Sequence, residues 1–371
     1  MYFIADWLKQ EHSMTALCAR YGISRQCGYE LIKRYRTEGE MAFDERSHAR
    51  HAHPNQTSSH LIQAILDVKH RFTAWGPIPI KRWLEINKSQ ECWPAASTIG
   101  EILKRHGLVK SKKLTKRTPA HSEPLKHCNH PNQVWSADYK GHFRMKNQQY
   151  CYPLTISDNF SRYLLCCDGY EEINGKKAIF SFEKVFYEYG LPDVIRTDNG
   201  PPFASTGLGG LSRLSIWLLK LGVLPERIQP GHPEQNGRHE RMHRTLKASL
   251  NLNTKHSLVE QQLWFNEFKE EFNKERPHQA LQLKRPIEVH KKSLRSYSPT
   301  INEINYPNSM LIRKVKTNGE MKYFGKRYYV SELLHGEAIG LEMIDEVRAI
   351  VYFGKLKLGI IDARLDKIIR P

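Results

Sequence analysis

Residues 194–200 read Val-Ile-Arg-Thr-Asp-Asn-Gly, a short strand-like run that ends at Asp198. A second run of this kind, residues 134–140, reads Val-Trp-Ser-Ala-Asp-Tyr-Lys and carries Asp138 near its end. A third acid, Glu240, lies in a basic stretch with helical spacing, Asn-Gly-Arg-His-Glu-Arg-Met-His at 236–243. Two strand ends and a helix can bring three acids to one point, so these stretches predict a mixed α/β core with an acidic site.

Converging carboxylates are suitable ligands for hard divalent cations. Mg²⁺ prefers oxygen ligands and usually binds one or two carboxylates together with substrate phosphates. Two such ions can hold the attacking and leaving oxygens of a phosphodiester in line. Phosphoryl transfer of this type needs positioning and charge neutralisation rather than a covalent protein nucleophile. The three acids therefore predict an enzyme that cuts and joins nucleic acid.

The charge of the chain favours the same kind of partner. Lys and Arg number 57 against 39 Asp and Glu, which leaves a net charge of +18. Such an excess is typical of proteins that bind polyanions. Residues 104–126 hold eight Lys or Arg against one acid, Glu123, which predicts a linker that adds salt-dependent affinity for DNA. A soluble basic protein without a nucleic-acid partner is the alternative that charge alone leaves open.

Length and composition limit the class of protein further. The 371 residues suggest two to four domains, and 40% hydrophobic residues are enough to build their cores. Seven cysteines without a CxxC pair argue against a disulfide framework. The sequence shows neither a stretch of transmembrane length nor an N-terminal signal core. We therefore expect a cytoplasmic protein with no membrane partner.

Residues 1–45 are predicted to form a helix-turn-helix DNA-binding domain. Helical spacing over 14–21 is followed by a turn at Gly22, and Ser24 is placed to cap a helix over 25–35. The start of a recognition helix faces the DNA groove. Base or phosphate contacts are therefore expected from its polar and basic side chains, Arg25, Gln26 and Lys33. A plain helical hairpin is the alternative reading of so short a motif.

A second helical unit, also like a helix-turn-helix, is predicted over 55–110. Trp-Gly-Pro at 75–77 breaks its first helix, Ser97 is expected to cap a helix over 98–106, and Gly107 is placed to end it. Residues 111–130 are the predicted basic linker, with three prolines and little apolar periodicity from 109 to 133.

The segment 131–292 is predicted to be the catalytic core. Apolar patterns indicate strands at 134–140, 150–157 and 162–167 in an antiparallel meander, a strand at 194–197, and helices at 174–189, 211–221, 237–250 and 259–273. From 305 to 371 the period changes to two, with hairpin signals such as Asn-Gly at 318–319, which predicts a small β-barrel.

The core segment resembles the integrase-type catalytic core that bacterial insertion-sequence transposases share with retroviral integrases. The resemblance covers roughly residues 130–290. It rests on Asp138 after a Trp-led strand, on Thr-Asp-Asn-Gly at 197–200, and on Pro-Glu-Gln-Asn-Gly-Arg-His-Glu-Arg at 233–241. The stretch Phe-Asn-Lys-Glu-Arg-Pro-His-Gln-Ala-Leu at 272–281 is similar to the segment that closes this core in the bacterial branch.

The resemblance implies a ribonuclease H-like fold with Asp138, Asp198 and Glu240 as catalytic metal ligands. It implies Mg²⁺ as cofactor, with Mn²⁺ as a substitute and two ions when DNA is bound. The implied activity is that of a DDE transposase, which binds the terminal repeats of its element, nicks them and joins the freed 3′-OH to target double-stranded DNA. Because two ends must be brought together, a homodimer or larger assembly is also implied.

Basic side chains around Glu240 are further candidates for DNA contact. Arg244 and Lys247 share the helical face of Glu240, whereas Met242 and Leu246 belong to another face. Lys247 resembles the family position that touches DNA beside the metals. Arg244 has an alternative role as an ion-pair partner of Glu240. Asn199 follows Asp198 where the backbone is expected to pass close to the substrate.

Two other functions remain open at this point. The chain could be a helix-turn-helix regulator in which an inactive core is kept as a scaffold, or a nuclease of ribonuclease H fold that cleaves RNA–DNA hybrids without joining strands. The three intact acids speak against the first function, and the helix-turn-helix leader speaks against the second. Asp158, a competing acid, is expected to shape a hairpin turn rather than to bind metal.

Overall fold

The structure is a computed structural model. It describes residues 2–44, 56–109, 128–205, 207–229, 232–251, 253–301, 303–365 and 367–369. The predicted linker 111–130 therefore lies outside the described residues except for its last three. The chain divides into two compact units, residues 1–58 and residues 59–371.

The first unit is a small bundle of three helices. Ser13 and Ser24 cap the second and third of them by accepting hydrogen bonds from backbone N–H groups of the first turn. Gly22 makes the left-handed turn between these helices, with φ +63°. The predicted helices are confirmed, and the first is short. They are α1 (Tyr2–Leu8), α2 (Met14–Arg20) and α3 (Arg25–Glu38).

The second unit begins with three more helices around a core of Ile65, Trp75, Ile80 and Ile99. The predicted break is confirmed, because Gly76 precedes the helix that starts at Pro77. The predicted cap at Ser97 is wrong. The last helix begins two residues earlier, at Ala96, with Ala95 as its N-cap, since Ala96 is a strong helix former. The helices are α4 (Ser59–Arg71), α5 (Pro77–Asn87) and α6 (Ala96–Arg105).

A mixed sheet follows, and its predicted antiparallel meander is confirmed. The strands are β1 (Val134–Tyr139), β2 (Phe143–Arg144), β3 (Tyr150–Asp158), β4 (Leu164–Tyr170), β5 (Val194–Thr197) and β6 (Leu224–Arg227). The spatial order is β4-β3-β1-β5-β6, with β2 at the end of β3. Strand β3 runs antiparallel to β1 and β4, whereas β1, β5 and β6 are parallel. Strand β6 was not predicted, because Leu-Pro-Glu-Arg has no strand pattern.

Helices cover this sheet with two hydrophobic clusters. One cluster joins Trp135 and Ala137 of β1 to Phe182, Phe186 and neighbouring helical residues. The other joins residues of β3 and β4 to the two helices that follow β6. The helices are α7 (Gly175–Tyr189), α8 (Arg213–Lys220), α9 (Gly237–Leu250), α10 (Leu258–Glu270) and α11 (Pro286–Val289), with a π-helical turn at Glu271–Glu275.

The C-terminal strands form an open sheet. They are β7 (Leu311–Lys314), β8 (Glu320–Tyr323), β9 (Lys326–Tyr329), β10 (Ala338–Met343), β11 (Arg348–Phe353), β12 (Leu356–Asp362) and β13 (Ile368–Ile369). Five strands make a sheet in the order β13-β12-β11-β10-β7, and β8 and β9 form a separate hairpin. The predicted closed barrel is therefore not confirmed for the part of the tail that the structure describes.

The insertion between β5 and β6 attaches this C-terminal sheet to the rest of the second unit. Leu211, Ile216 and Leu219 are buried in the same cluster as the C-terminal strands. Lys220 adds an ion pair with Glu337 at 2.7 Å. In the described residues we find no helix that is long and apolar enough to cross a membrane.

Candidate active site

The parallel pairing of β1 with β5 places two of the predicted acids side by side. Val134 pairs with Val194 and Ser136 with Arg196. If this register is extended by two residues, Asp138 is opposite Asp198. Residues opposite each other on neighbouring strands point to the same face of a sheet. Both acids therefore belong to one edge of the sheet and to one of its faces.

Helix α9 carries Glu240 across that face, and two histidines hold it there. His239 and His243 lie one turn apart, and their Nε2 atoms are 2.8 and 2.7 Å from the hydroxyl of Thr155. Thr155 itself is the cross-strand partner of Asp138 and donates to its backbone carbonyl at 3.0 Å. A hydroxyl has one proton, so both imidazoles donate to it from Nε2.

Asp138 is a carboxyl group in an unfavourable electrostatic environment. Burial, the negative charge of Asp198 and, less strongly, that of Glu240 raise its pKa to about 7, and Lys140 opposes this shift. The three acids therefore share one electrostatic environment. Within the described part of the chain, however, no three Asp, Glu, His or Cys side chains already lie close enough together to hold a metal ion.

The two histidines do not neutralise the negative charge of the three acids. Nδ1 of His243 is 3.7 Å from a carboxylate oxygen of Asp138, which is too long for a hydrogen bond. Burial lowers the pKa of His239 to about 3 and that of His243 to about 2, so both rings are neutral near pH 7. Oxygen donors with excess negative charge and neutral neighbours are what a divalent cation requires, and this donor set fits Mg²⁺.

The residues after Asp198 shape its carboxylate. The backbone N–H of Gly200 donates to Oδ1 of Asp198 at 3.2 Å. A Cβ atom at residue 200 would lie 3.1 Å from Oδ2 of the same side chain. Asn199 donates from Nδ2 to the carbonyl of Ile228 at 2.8 Å, beyond the end of β6. Its amide therefore braces the strand end, a role that the sequence did not indicate.

Arg196 links the two parts of the site, and sequence reasoning missed it. Its buried guanidinium donates to Glu226 on β6 at 2.7 Å and to the carbonyl of Gln235 at 3.2 Å. Gln235 lies in the turn that leads into α9. Arg196 thus ties the strand before Asp198 to the turn before Glu240. An arginine in a short buried strand was the feature of the sequence that could have indicated this role.

Comparison with known proteins agrees with this architecture. Two models described as "Integrase core domain" match residues 128–233 and 221–286, and a model described as "Helix-turn-helix domain" matches residues 3–51. An uncharacterised 31.7 kDa protein of insertion element IS407 from Burkholderia multivorans is 28% identical over 159 residues, which are 43% of this chain and 55% of that protein. These matches support a relationship to bacterial insertion-sequence transposases of the integrase superfamily.

Two viral proteins are also similar to this chain. The Gag-Pol polyprotein of baboon endogenous virus is 30% identical over 190 residues, or 50% of this chain and 10% of the polyprotein. A chain of the simian T-cell lymphotropic virus intasome is 16% identical to this chain, with a TM-score of 0.40. The alignment covers 80% of this chain and 95% of the intasome chain. This chain spans about half of its insertion-element relative and a tenth of the viral polyprotein.

Helix α9 of the integrase core has the two faces that its sequence predicted. Met242, Leu246 and Leu250 are buried against the sheet and α10. Arg244 and Lys247 are exposed, as is Glu240. No ion pair within 4 Å joins Arg244 to a described acid, so the alternative pairing of Arg244 with Glu240 is not observed. Both cations are therefore available on the face that carries the acid.

In the separate N-terminal unit, the candidate DNA contacts also lie on an exposed helical face. Arg25, Gln26 and Lys33 are exposed on α3. Gln26 is 3.5 Å from Glu30, at the limit of a hydrogen bond. The helix begins with Arg25 and Gln26 because Ser24 caps it immediately before Arg25.

Asp158 shapes the turn between β3 and β4 of the integrase core, as predicted. Its fully buried carboxylate accepts from the backbone N–H groups of Asn132 and Ser161 at 3.2 and 3.0 Å. The hydroxyl of Ser161 donates to it at 2.5 Å. These donors occupy the carboxylate, so the structure gives Asp158 a structural role.

Asn273, in the stretch 272–281 that closes the integrase core, has a structural role that the sequence did not reveal. Buried Asn273 accepts from the backbone N–H of Leu164 and donates to its carbonyl, both at 2.8 Å. The amide therefore replaces a strand partner at the start of β4. Arg276 and His278 follow within five residues, and the charge of Arg162 in the β3–β4 turn acts on His278.

Proposed function

We propose that this protein is a transposase. It binds the terminal repeats of an insertion sequence, cleaves DNA strands there and transfers the ends to target DNA. The observation that carries the proposal is the shared edge of Asp138, Asp198 and α9, where the half-buried Asp138 has acid neighbours and neutral histidines. The matches to integrase-core models support the same reaction class.

In this proposal Asp138, Asp198 and Glu240 hold the divalent cation or cations, with Mg²⁺ as the natural ion and Mn²⁺ as a substitute. Bound metal supplies charge neutralisation on the phosphate and activates the attacking oxygen. The chain itself supplies the geometry. Thr155, through its bonds to both histidines and to β1, keeps Glu240 and Asp138 on the same face.

The basic side chains of α9 and the N-terminal helices bind and orient DNA in this proposal. Lys247 and Arg244 contact phosphates beside the acids, and Arg25, Gln26 and Lys33 read the element ends. The domains are those predicted from the sequence: helix-turn-helix units at 1–45 and 55–110, the core at 131–292 and a β-rich domain at 305–371. A dimer or larger assembly brings two ends together.

The direct test is strand transfer by the purified protein and by Asp198→Asn. Wild-type protein with labelled element-end DNA and Mg²⁺ should give nicked and then joined products. The variant should bind the ends with similar affinity but lose cleavage by at least a hundredfold, because the amide is a poor metal ligand. The matched control is Asp193→Asn, an exposed acid on the same segment that pairs with Arg295 and should keep full activity.

Each other outcome of this test has a clear meaning. Wild-type activity in Asp198→Asn would refute the metal-ligand assignment. End binding by the wild-type protein without any nicking would favour the regulator. Cleavage of RNA–DNA hybrids without joined products would favour the nuclease.

A further inference from the structure

Arginines from three parts of the core gather beside the turn between β3 and β4. Arg162 lies in this turn, Arg238 and Arg241 lie in the first turns of α9, and Arg276 follows the π-helical turn. Nη1 of Arg238 is 3.0 Å from both the carbonyl of Asn159 and the thiol of Cys128, which places its guanidinium on the turn. We call these four side chains the arginine cluster.

The electrostatic effects between these groups confirm that they are neighbours. Burial, together with the positive charges of Arg238 and Arg241, lowers the pKa of Arg162 to about 10. Burial also lowers the pKa of His278, with additional contributions from Arg276 and Arg162. The four arginines therefore share one region of positive potential.

This positive charge is largely unmatched. In the described residues, none of the four arginines has an acid within ion-pair distance. Two acids act on the cluster, and both have other partners. Asp158 is saturated by the turn, and Glu271, which acts on Arg276, accepts from the indole of Trp75 at 3.0 Å.

Arg162 also has a donor without an acceptor. Its Nη1 atom is buried and makes no hydrogen bond to any described residue. A buried charged donor that is left unpaired is costly, so this guanidinium is suited to bind an anionic partner. A guanidinium is the side chain best suited to bind a phosphate through two parallel hydrogen bonds.

The backbone is built to hold Arg162 in this position. Arg162 has a left-handed conformation, with φ +62°, that residues other than glycine rarely adopt. Asp158 and Ser161 close the turn on one side of it, and Asn273 clamps Leu164 on the other. Strained residues persist where the surroundings determine them, and they occur often at functional sites.

We infer that the arginine cluster is a phosphate-binding site that holds a DNA backbone phosphate other than the one at the acids. Glu240 lies between Arg238 and Arg241 in the same turns of α9, so one helix end serves both sites. A strand with one phosphate at the acids carries further phosphates along the same surface. The inference rests on the proposed function for the identity of the polyanion, but it requires no catalysis.

The test is the salt dependence of DNA binding by the full-length protein in buffer without divalent cations. The slope of log K against log salt is negative, and each lost phosphate contact should reduce its magnitude by about 0.9 for duplex DNA. Two variants, Arg162→Gln and Arg162→Gly, should both lose about one contact. Glycine suits a positive φ, so Arg162→Gly removes the guanidinium without adding backbone strain. The matched control is Arg348→Gln, which removes one charge that Asp345 already neutralises.

A second measurement separates a DNA phosphate from a free anion. Thermal unfolding is followed in inorganic phosphate and in chloride at equal ionic strength. The inference expects a reduced DNA slope for both Arg162 variants, with or without a loss of stabilisation by inorganic phosphate. Loss of phosphate stabilisation with an unchanged DNA slope would overturn it in favour of a free-anion site.

Two further outcomes would also overturn the inference. They are unchanged slopes in both Arg162 variants, and an equal loss of slope in Arg348→Gln, which would indicate a general charge effect. Because cleavage is not measured, failure of strand transfer in the earlier test leaves this result intact.

Discussion

At the scale of single residues, the histidines near Asp138 are uncharged and therefore leave the negative charge of its carboxylate unneutralised. Thr155 accepts from two histidines, and burial keeps both rings uncharged. A protonated histidine beside Asp138 would neutralise it and compete with a metal. Neutral rings position α9 without neutralising the acids.

Gly200 offers a test of how closely the position of Asp198 is controlled. In Gly200→Ala, the new methyl group would lie 3.1 Å from Oδ2 of Asp198 and displace the carboxylate by a few tenths of an ångström. We expect cleavage to fall about tenfold or more, because small misplacements of catalytic groups are costly. The free energy of unfolding should change by less than about 1 kcal/mol, since a flexible side chain absorbs the shift.

The rate of cleavage and a urea unfolding curve check this prediction together. Gly237→Ala is the matched control, because a Cβ atom there meets nothing within 4 Å. Full activity in Gly200→Ala would show that Asp198 is not held in place by this turn.

At the scale of elements, α9 joins a buried apolar face to an exposed charged one. Its apolar residues pack on the sheet, and its exposed face carries Glu240, Arg244 and Lys247. The π-helical turn at 271–275 has a similar double attachment. Glu275 accepts from the indole of Trp83 at 2.7 Å, while Asn273 bonds to β4. Short elements thus connect α5, β4 and the closing motif.

Lys247→Ala tests the exposed face of α9. The variant should weaken end binding and lower the salt slope by about 1, because one phosphate contact is lost. Helix stability should be nearly unchanged, since alanine is a good helix former and Lys247 is exposed. Lys269→Ala on α10 is the control for loss of one positive charge. A salt slope equal to that of the wild-type protein would exclude Lys247 from the DNA interface.

His278 makes a pH-dependent contribution to stability. Burial lowers its pKa to about 3 in the folded protein, below its ordinary value. The unfolded chain therefore binds a proton that the folded chain excludes. This contribution to stability is present above about pH 6.5 and is lost as the pH falls towards 3. Between pH 7 and pH 5 the loss should be roughly 1–2 kcal/mol.

Replacement by glutamine should remove this part of the pH dependence. Urea unfolding of His278→Gln at pH 7 and pH 5 should show a smaller difference than the wild-type protein. His335→Gln, at an exposed position, should leave the difference unchanged. An identical pH dependence in His278→Gln would mean that this ring takes up a proton in the folded state.

At the scale of the whole molecule, the two compact units predict different results for two deletions. Deletion of residues 1–58 removes one unit and should leave residues 59–371 folded, with end recognition impaired. Deletion of residues 1–110 also removes Trp75 and Trp83, which donate to Glu271 and Glu275. The loss of these bonds and of the packed surface should lower the melting temperature of the shorter protein.

Circular dichroism, thermal unfolding and footprinting on element ends would measure these effects. Equal melting temperatures for the two truncated proteins would show that α4, α5 and α6 contribute little to the stability of the core. An unchanged footprint after deletion of residues 1–58 would count against the predicted recognition helix.

Local patterns were sufficient to predict β1, β5 and α9 and therefore the chain positions of Asp138, Asp198 and Glu240. Strand ends and helical faces depend on neighbouring residues, so apolar spacing, caps and turns predict them. The helix-turn-helix unit and the turn at Asp158 were predictable for the same reason.

Contacts between distant segments were decided by the tertiary structure alone. The strand β6 exists because β5 provides a partner for it, although Leu-Pro-Glu-Arg has little strand character of its own. The bonds of Arg196 and Asn273, like the arginine cluster, join residues far apart in sequence. The hairpin signal at Asn-Gly 318–319 was wrong, because β7 before it pairs with β10 and β8 after it pairs with β9. Whether a sheet closes likewise depends on pairing between its edge strands, which no local pattern encodes.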